Sequence, residues 1–595
     1  MRSSVKAIGS MERPHGPGAG RVPAKAGEPI GFGAFGGILH PGTADLGVLM
    51  LSPLGYEELC VRATWRRLAE RLSEAGVPAL RFDWPGTADA LDPETPASGI
   101  DDWKAAILAA AAGLRAAAGV ERIVVVGQGL GATLGAITAS DLGTVDGMVL
   151  LAPVAKGRPW LRELSLWAKM LDDTIGLPTD PAETARFAVA GLGLDPGRIE
   201  AIRALDLGRL EAAPARRLLV LTRNGRPDDL ELAARLGRLG GSMETRPYEG
   251  YERLITDPTG AVPPEATIER VVDWIRDLAC RATAVPADVP AALAPVLVGE
   301  RFSETARRFG TDDRLYGVEC RPVAAANART AVFLDAGHDY HIGWARSTVG
   351  FARALAGAGV GSLRFDNASI GDSPAAPGDP AEVLYRPPLL RDAGEAVGAA
   401  AEAGAGRIVL VGRCSGGYAA LHTAFADPRV TDLVLINVQR FMWHPAEKIE
   451  DAIRYGHQTI ASYGARALSR AMLGRIWRGE VDVPRILRHI ATRIGAGLGA
   501  RLAPWLGPLT TQGRLGRRLH RNLAALRDRG VRVTIVYADG DIGLPNFEAY
   551  FGRGGRRLSA YPNMDLIMVP DADHNLTRPN AQRAVADILV RVATR

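Results

Sequence analysis

The chain has 595 residues, too many for a single hydrophobic core, which predicts two to four domains. Its 47% hydrophobic and 23% charged residues are ordinary for a globular protein and exclude wholesale disorder. No apolar run approaches the roughly 18 residues of a transmembrane helix, and residues 1–30 lack the apolar core of a secretory signal. We therefore expect a disordered tail over residues 1–30, no transmembrane segment and a cytoplasmic location.

The formal net charge of +5 does not by itself indicate a polyanionic partner. Only six of the 71 basic residues are lysine, and Arg, Ala and Gly are abundant, as a GC-rich genome would encode. We expect no nucleic-acid partner. The four cysteines (Cys60, Cys280, Cys320 and Cys414) lie far apart with no CxxC pair, so neither disulfides nor a metal site is expected, and no motif indicates a cofactor.

Four apolar segments of the first half return in the same order in the second half. The spacing between equivalent residues stays between 282 and 285 along the chain, which indicates a tandem duplication. The equivalent pairs are Gly55 with Gly337, Asp83 with Asp366, and Gly127 with Gly412.

The repeated segments are short, rich in Val, Ile and Leu, and not alternating, as strands buried on both faces are. Stretches with apolar residues at helical spacing, such as 64–76 and 348–359, lie between them. This alternation predicts an α/β fold of two doubly wound, mostly parallel sheets. We expect domains at 31–280 and 300–595, joined by an Ala- and Pro-rich linker at 281–299.

A sharp turn between a strand and a helix is predicted at RIVLVGRCSGGYAAL (407–421). Gly412 and Gly416 bracket Cys414, and this Gly-x-Nu-x-Gly pattern is the nucleophile elbow of α/β-hydrolases. A nucleophile at Ser415 would instead place bulky Arg413 where a small residue is needed. Both halves are therefore predicted to be α/β-hydrolase domains, with Cys414 as the nucleophile; the alternative is a small buried cysteine that fills a tight turn.

The remaining catalytic residues are expected after Cys414, in the order acid then histidine. His574 follows a late strand and is the candidate base. Asp541 follows the preceding strand and is the candidate acid, with Asp539 as the second choice.

An oxyanion hole is expected from the backbone N–H of Ser415 and an N–H near Gly337 and His338. His341, in the same loop, either contacts substrate or caps the turn.

The first half lacks these residues. Its elbow, GQGLGA, has Gly129 at the nucleophile position, and Tyr251 stands where the histidine would be. The only histidine between residues 31 and 280 is His40, which precedes the first doubly wound strand. We therefore expect the domain at 31–280 to be degenerate and non-catalytic.

Both halves resemble a known family, over about residues 31–590. In the second half the matching stretches include LDAGHDYHIGWAR (334–346), LRFDNASIGDSP (363–374) and GRCSGGY (412–418); in the first they include SPLGYEELC (52–60) and LRFDWPGTAD (80–89). They look like α/β-hydrolases related to the serine aminopeptidase S33 group that occur beside exosortase and exopolysaccharide genes. The Cys-Ser elbow is typical of the second-half type, whereas Gly129 departs from the first-half type. The resemblance implies this fold and a role in exopolysaccharide biosynthesis.

Residues 440–530 are predicted to form a helical lid. The stretch 440–531 has 17 Arg or Lys residues against six acids, with aromatic residues Phe441, Trp443, Trp477 and Trp505. It is either a solvated helical face or an entrance that attracts anionic substrates such as acyl-CoA, acyl carrier protein, phospholipid or an acidic glycan.

The residues favour a Cys-His-Asp acyl hydrolase or acyltransferase (an esterase, thioesterase or acyltransferase) that acts on a small or carrier-linked ester or thioester. The alternative is a catalytically silent tandem scaffold that binds a lipid- or glycan-linked partner. A nucleotide-binding protein is disfavoured because GxxxxGK[ST] does not occur.

Overall fold

The computed structural model describes residues 26–595 apart from 94–98, 176, 178–179, 257, 259, 280–293, 325–327, 381, 445–446, 448 and 450–509. The first half forms an eight-stranded sheet. Its strands are β1 (Glu28–Phe32), β2 (Phe35–His40), β3 (Leu46–Leu51), β4 (Ala79–Phe82), β5 (Arg122–Gln128), β6 (Val145–Leu151), β7 (Arg217–Thr222) and β8 (Ser242–Pro247). The order is β1-β2-β4-β3-β5-β6-β7-β8, in which β2 pairs antiparallel with β1 and β4 and the other pairs are parallel.

The second half forms a nine-stranded sheet. Its strands are β9 (Val296–Val298), β10 (Phe302–Phe309), β11 (Leu315–Pro322), β12 (Arg329–Leu334), β13 (Gly361–Phe365), β14 (Arg407–Arg413), β15 (Val430–Ile436), β16 (Arg532–Ala538) and β17 (Met564–Val569). Read from β9, the order is β9-β10-β11-β13-β12-β14-β15-β16-β17. From β10 onward the order repeats that of the first sheet. The predicted fold class, two tandem α/β-hydrolase domains, is confirmed.

Helices connect the strands in both halves. Those of the first half are α1 (Tyr56–Glu74), α2 (Asp101–Ala118), α3 (Gly129–Thr138), α4 (Gly157–Ile175), α5 (Pro181–Ala185), α6 (Pro196–Ala204), α7 (Pro227–Gly237), α8 (Tyr251–Leu254) and α9 (Glu265–Arg276). Those described in the second half are α10 (Ser347–Gly357), α11 (Pro387–Glu402), α12 (Ser415–Ala426), α13 (Thr511–Asp528), α14 (Leu544–Phe551) and α15 (Pro579–Thr594). No helix in the described ranges is both long and apolar enough to cross a bilayer.

The central strands lack polar alternation because both of their faces are buried. In β14, Ile408 and Leu410 pack into the core on one side of the sheet, whereas Val409 and Val411 pack into the core on the other. The equivalent strand β5 divides its side chains between two cores in the same way. The strands therefore form the buried centre of each half and carry the elbow residues at their ends.

Two predicted boundaries differ from the structure. Residues 28–30 were expected in the tail but belong to β1, which pairs with β2; Val296–Val298 was expected in the linker but forms β9, which pairs with β10. Neither strand alternates clearly enough to be recognised without its partner. The rest of the tail to residue 25, the linker at 281–293 and the lid at 450–509, with Trp477 and Trp505, lie outside the described residues.

Reciprocal ion pairs join the two halves. Arg81 of the first half binds Asp372 of the second at 2.7 Å, and Arg364 of the second binds Asp89 of the first at 2.9 Å. Arg81 and Asp89 are each 283 residues before their equivalents, Arg364 and Asp372.

Backbone contacts repeat the pattern. Arg66 Nε donates to the Gly371 carbonyl at 2.9 Å, and Arg346 Nε donates to the Ala88 carbonyl at 2.6 Å. Equivalent surfaces therefore face each other, as in a two-fold interface between identical subunits.

Candidate active site

Cys414 lies at the turn between β14 and α12. Its backbone has φ 52° and ψ −115°, a conformation that non-glycine residues adopt only under strain. A Cβ at Gly412 would lie 2.2 Å from the Gly416 carbonyl oxygen, and one at Gly416 would lie 1.9 Å from the Leu334 carbonyl oxygen. Both flanking positions therefore require glycine, as the elbow pattern predicts, and this register places Cys414 at its apex.

The structure brings Cys414, His574 and Asp541 together. His574 follows β17, and its Nδ1 lies 2.7 Å from Oδ2 of Asp541, which follows β16. The Cys414 thiol is hydrogen-bonded to the same imidazole. The other Asp541 oxygen accepts the Gly543 N–H at 2.7 Å, whereas the Asp539 side chain is exposed to solvent. Asp541 is thus the acid that contacts His574.

The three side chains are electrostatically coupled. Burial favours the neutral thiol, but the positive charge of His574 and its hydrogen bond, followed by the charge of Arg413, hold the pKa of Cys414 below its ordinary value. Burial also disfavours a charged His574; the negative charges of Asp541 and Cys414 outweigh it and raise the pKa of His574 to about 10. The site therefore favours a thiolate beside an imidazolium at neutral pH.

Two polar residues that the sequence reasoning missed hold the histidine loop and the elbow. Asn437 adopts φ 48° and donates from Nδ2 to the His574 carbonyl at 2.9 Å, while its Oδ1 accepts the Ala538 N–H at 2.8 Å. Arg413 binds Asp339, and its Nη1 donates to Asn575 Oδ1 at 2.7 Å. The position of Arg413, directly before the nucleophile, was the one signal in the sequence that could have identified it.

The expected oxyanion loop follows β12, but one of its amides is already engaged. The Gly337 N–H donates to Ser415 Oγ at 2.8 Å. Ser415 begins α12, where backbone N–H groups lack partners within the helix. The structure therefore places Gly337, His338 and Ser415 beside one another, and Gly337 contacts the Ser415 side chain in this state.

The expectation that His341 contacts substrate is wrong. Its side chain is fully buried, with Nδ1 2.9 Å from Asp366 Oδ1 and Nε2 2.6 Å from Asp89 Oδ2. Both ring nitrogens are occupied, and one partner belongs to the first half of the chain. The two carboxylates raise the pKa of His341 well above its ordinary value, although burial opposes this. His341 is a charged link between the halves.

An aromatic cluster lies beside the elbow. The ring of Tyr385 stacks on Trp443 at 4.4 Å and meets Tyr418, on α12, edge-on at 5.0 Å. The Tyr385 hydroxyl is buried without a hydrogen-bond partner in the described structure, and burial and the nearby charge of Cys414 raise its pKa well above its ordinary value. This cluster was also missed, because nothing in the sequence connects Tyr385 to the elbow.

The first half has the same elbow without reactive groups. Gly129 has φ 54°, and a Cβ added there would lie 2.6 Å from Oε2 of Glu57. Tyr251 begins α8, beyond β8, and Arg223 lies 5.8 Å from the centroid of its ring. These residues border a cleft of about 440 Å³, counting its open mouth. A carboxyl group thus lies next to the place where a nucleophile would begin.

No cluster of three or more His, Cys, Asp or Glu residues in the described ranges could hold a metal ion. No protein-family model matches the chain, and no curated protein matches its sequence.

Several solved structures share its fold. They include a dienelactone hydrolase from Anabaena variabilis (13% identity, 49% of this chain and 97% of that chain, TM-score 0.28) and an esterase from Pyrococcus furiosus (12%, 49% and 92%, 0.29). Another is a proline iminopeptidase from Mycobacterium smegmatis (17%, 49% and 99%, 0.29). Each spans about half of this chain, and identities this low concern the fold alone. The function is therefore inferred from the residues of the chain itself.

Proposed function

We propose that the second half is an acyl hydrolase or acyltransferase that uses Cys414 as its nucleophile. The observation that supports this is the continuous hydrogen-bonded series from Cys414 to His574 to Asp541, with the thiol at the apex of a strained elbow. A buried cysteine that only fills a turn does not need an imidazole and a carboxylate in series. Nucleophile, base and orienting acid are the arrangement that covalent acyl chemistry requires.

The Cys414 thiolate attacks the carbonyl carbon of an ester or thioester, and the carbonyl π electrons move onto oxygen. The amides of Ser415 and His338 stabilise this oxyanion, while the Gly337 amide orients the loop through Ser415 Oγ. When the intermediate collapses, the bond to the leaving group breaks and His574 gives that group its proton. The product of this half-reaction is a thioester on Cys414.

His574, now neutral, accepts a proton from water or an alcohol, which attacks the thioester and regenerates the thiolate. Asp541 keeps the imidazole oriented through Nδ1 in both steps. Because a thioester is a better acyl donor than an ester, transfer to a hydroxyl competes with hydrolysis.

The surroundings favour an apolar acyl chain carried by an anionic group. Tyr385, Tyr418 and Trp443 provide an apolar wall beside the elbow. The charge of Arg518, on α13, acts on both Tyr418 and His422. A cation beside an aromatic wall suits acyl-CoA or acyl carrier protein as donor. The family resemblance suggests a sugar or lipid hydroxyl as acceptor in exopolysaccharide biosynthesis.

Intact-protein mass spectrometry after incubation with acyl-CoA thioesters of different chain lengths tests the proposal. We expect one acyl adduct per chain, located on Cys414 by peptide mapping. The matched control is Cys320→Ala, which removes a buried thiol whose pKa is raised to about 12 by burial and which should leave the adduct unchanged. Absence of an adduct together with failure of iodoacetamide to alkylate Cys414 would contradict the proposal and favour the silent scaffold.

A further inference from the structure

The cleft at the elbow of the first half contains an acid with incomplete partners. Glu57, on α1, is 7% exposed, and its Oε1 accepts a hydrogen bond from the uncharged Gln128 side chain at 2.9 Å. Within the described residues, no group donates to its Oε2. That oxygen lies beside Gly129, where a larger residue would place its Cβ. A buried carboxylate oxygen thus faces the space that a nucleophile would occupy.

The equivalent acid of the second half is neutralised by its own chain. Glu57 is 282 residues before Asp339, and Gln128 is 285 residues before Arg413, the spacings that relate the two halves elsewhere. Arg413 binds Asp339 directly. Where the second half has an ion pair, the first half has an acid and an amide, so one positive charge is missing.

The cations near the cleft are engaged by other acids. Arg223 makes two hydrogen bonds to Asp229, Nε to Oδ2 at 3.0 Å and Nη2 to Oδ1 at 2.8 Å. Arg226 binds Glu163, another residue on the cleft. These three acids and two arginines include Glu57, so the group carries one unbalanced negative charge when Glu57 is ionised.

Aromatic side chains form much of the cleft. Trp160 and Trp167 project from α4, and Tyr56 meets Trp167 edge-on with ring centroids 6.3 Å apart. Tyr251 lies on the opposite side, next to Arg223. The negative faces of aromatic rings attract organic cations, and their carbon surface packs against a short alkyl chain.

We propose that this cleft binds a small organic cation, a primary alkylammonium group whose N–H donates to Glu57 Oε2 and whose alkyl chain packs on Trp160 and Trp167. The bound cation supplies the charge that Arg413 supplies in the second half. A neutral alcohol would not supply it, and an anion would be repelled by Glu57 and Glu163. This site is separate from Cys414 and does not depend on acyl chemistry.

Binding at this site is linked to pH. Burial raises the pKa of Glu57 to about 7, opposed by the Gln128 hydrogen bond and the charge of Arg223 and assisted by Glu163. Tyr248 and Tyr251 also face Glu57, and burial raises the pKa of both well above the ordinary value, so they stay neutral near pH 7. An alkylammonium, like lysine, stays protonated over this range and stabilises ionised Glu57. Its affinity should therefore rise about tenfold from pH 6 to pH 8, with release of a proton at the lower pH.

Calorimetric titration of the full chain with n-butylammonium chloride tests the proposal, with n-butanol as the neutral control. We expect saturable binding of one butylammonium, no binding of butanol, and release of about 0.9 proton per ligand at pH 6, measured in buffers of different ionisation enthalpy. Failure of butylammonium to bind, equal binding of butanol, or absence of proton release at pH 6 would overturn the proposal.

Variants locate the site. Glu57→Gln keeps the shape but removes the charge, so affinity at pH 8 should fall at least tenfold and its pH dependence should disappear. Gln128→Arg introduces the cation of the second half and should weaken binding while Glu57 is intact. Cys414→Ala should bind butylammonium as the wild type does. Binding that is unchanged in a folded Glu57→Gln variant, or lost in Cys414→Ala, would refute the assignment. If Glu57→Gln does not fold, the wild-type proton release and Gln128→Arg decide.

Discussion

The two halves have the same fold and the same elbow backbone, but only one of them has a reactive site. Cys414 and Gly129 have φ angles of 52° and 54°, and the residues that flank each of them are equally confined. A Cβ on Gly131 would lie 2.3 Å from the Ser52 carbonyl oxygen, much as one on Gly416 would meet Leu334. The turn is thus a requirement of strand–helix packing, and it persists where the nucleophile is absent.

The difference also shows that the dead half still supports the live one. His341 and Arg364 of the second half both bind Asp89 of the first. His341 is three residues after His338, in the loop proposed to stabilise the oxyanion, and Tyr340 of that loop donates to Glu58 of the first half at 2.8 Å. The first half therefore holds the loop beside the active site from outside.

Removal of the Cys414 sulfur is the strongest test of the asymmetry between the halves. Cys414→Ala should lower acyl turnover by at least about a thousandfold, because the covalent pathway is lost. Turnover is measured by release of free CoA from an acyl-CoA. Cys320→Ala is the matched control and should keep wild-type turnover. Activity that survived Cys414→Ala, but was lost on substitution in the first half, would reverse the roles assigned to the halves.

The reciprocal ion pairs predict that the interface is equally sensitive from either side. Asp372→Ala leaves Arg62 and Arg81 buried without this acid, and Asp89→Ala does the same to Arg364 and His341. Each change should cost about 3–5 kcal/mol, measured by urea denaturation followed by circular dichroism.

The matched control for the interface is Asp273→Ala. It breaks a pair with Arg276 in which both side chains are more than half exposed, so it should have little effect. If Asp372→Ala were as mild as this control, the interface would not be held by its ion pairs.

The pH dependence of alkylation separates Cys414 from an ordinary thiol. Because the pKa of Cys414 is lowered, iodoacetamide should alkylate it at pH 7, and the rate should fall only as the pH drops below that lowered pKa. Turnover should also fall as the pH rises through about 10, where His574 loses the proton that the leaving group needs. His574→Gln should move the alkylation midpoint up toward that of a free cysteine. A midpoint unchanged by His574→Gln would show that the imidazole does not control the thiol.

The elbow and its partners could be predicted because they depend on local geometry and chain order. Gly412 and Gly416 mark the turn, and strand-end positions mark Asp541 and His574. The partners of His341 could not be predicted, since Asp89 is 252 residues away and becomes a neighbour only when the halves pack together. Glu57 was missed for a similar reason, because its carboxyl group becomes notable only once Gly129 is known to leave space beside it.

The smallest expected effect concerns the residue at the nucleophile position of the first half. Gly129→Ala forces a side chain into φ 54° and brings its Cβ to 2.6 Å from Glu57 Oε2, the end of a flexible side chain that can move. The variant should lose about 1–2 kcal/mol of unfolding free energy and keep acyl turnover within about twofold of wild type. Gly119→Ala, at φ 65° with no atom within 4 Å of the added Cβ, is the matched control for backbone strain alone. The difference between the two variants in urea denaturation measures the contact with Glu57. A large loss of turnover in Gly129→Ala, without a comparable loss of stability, would show that the first half takes part in the chemistry.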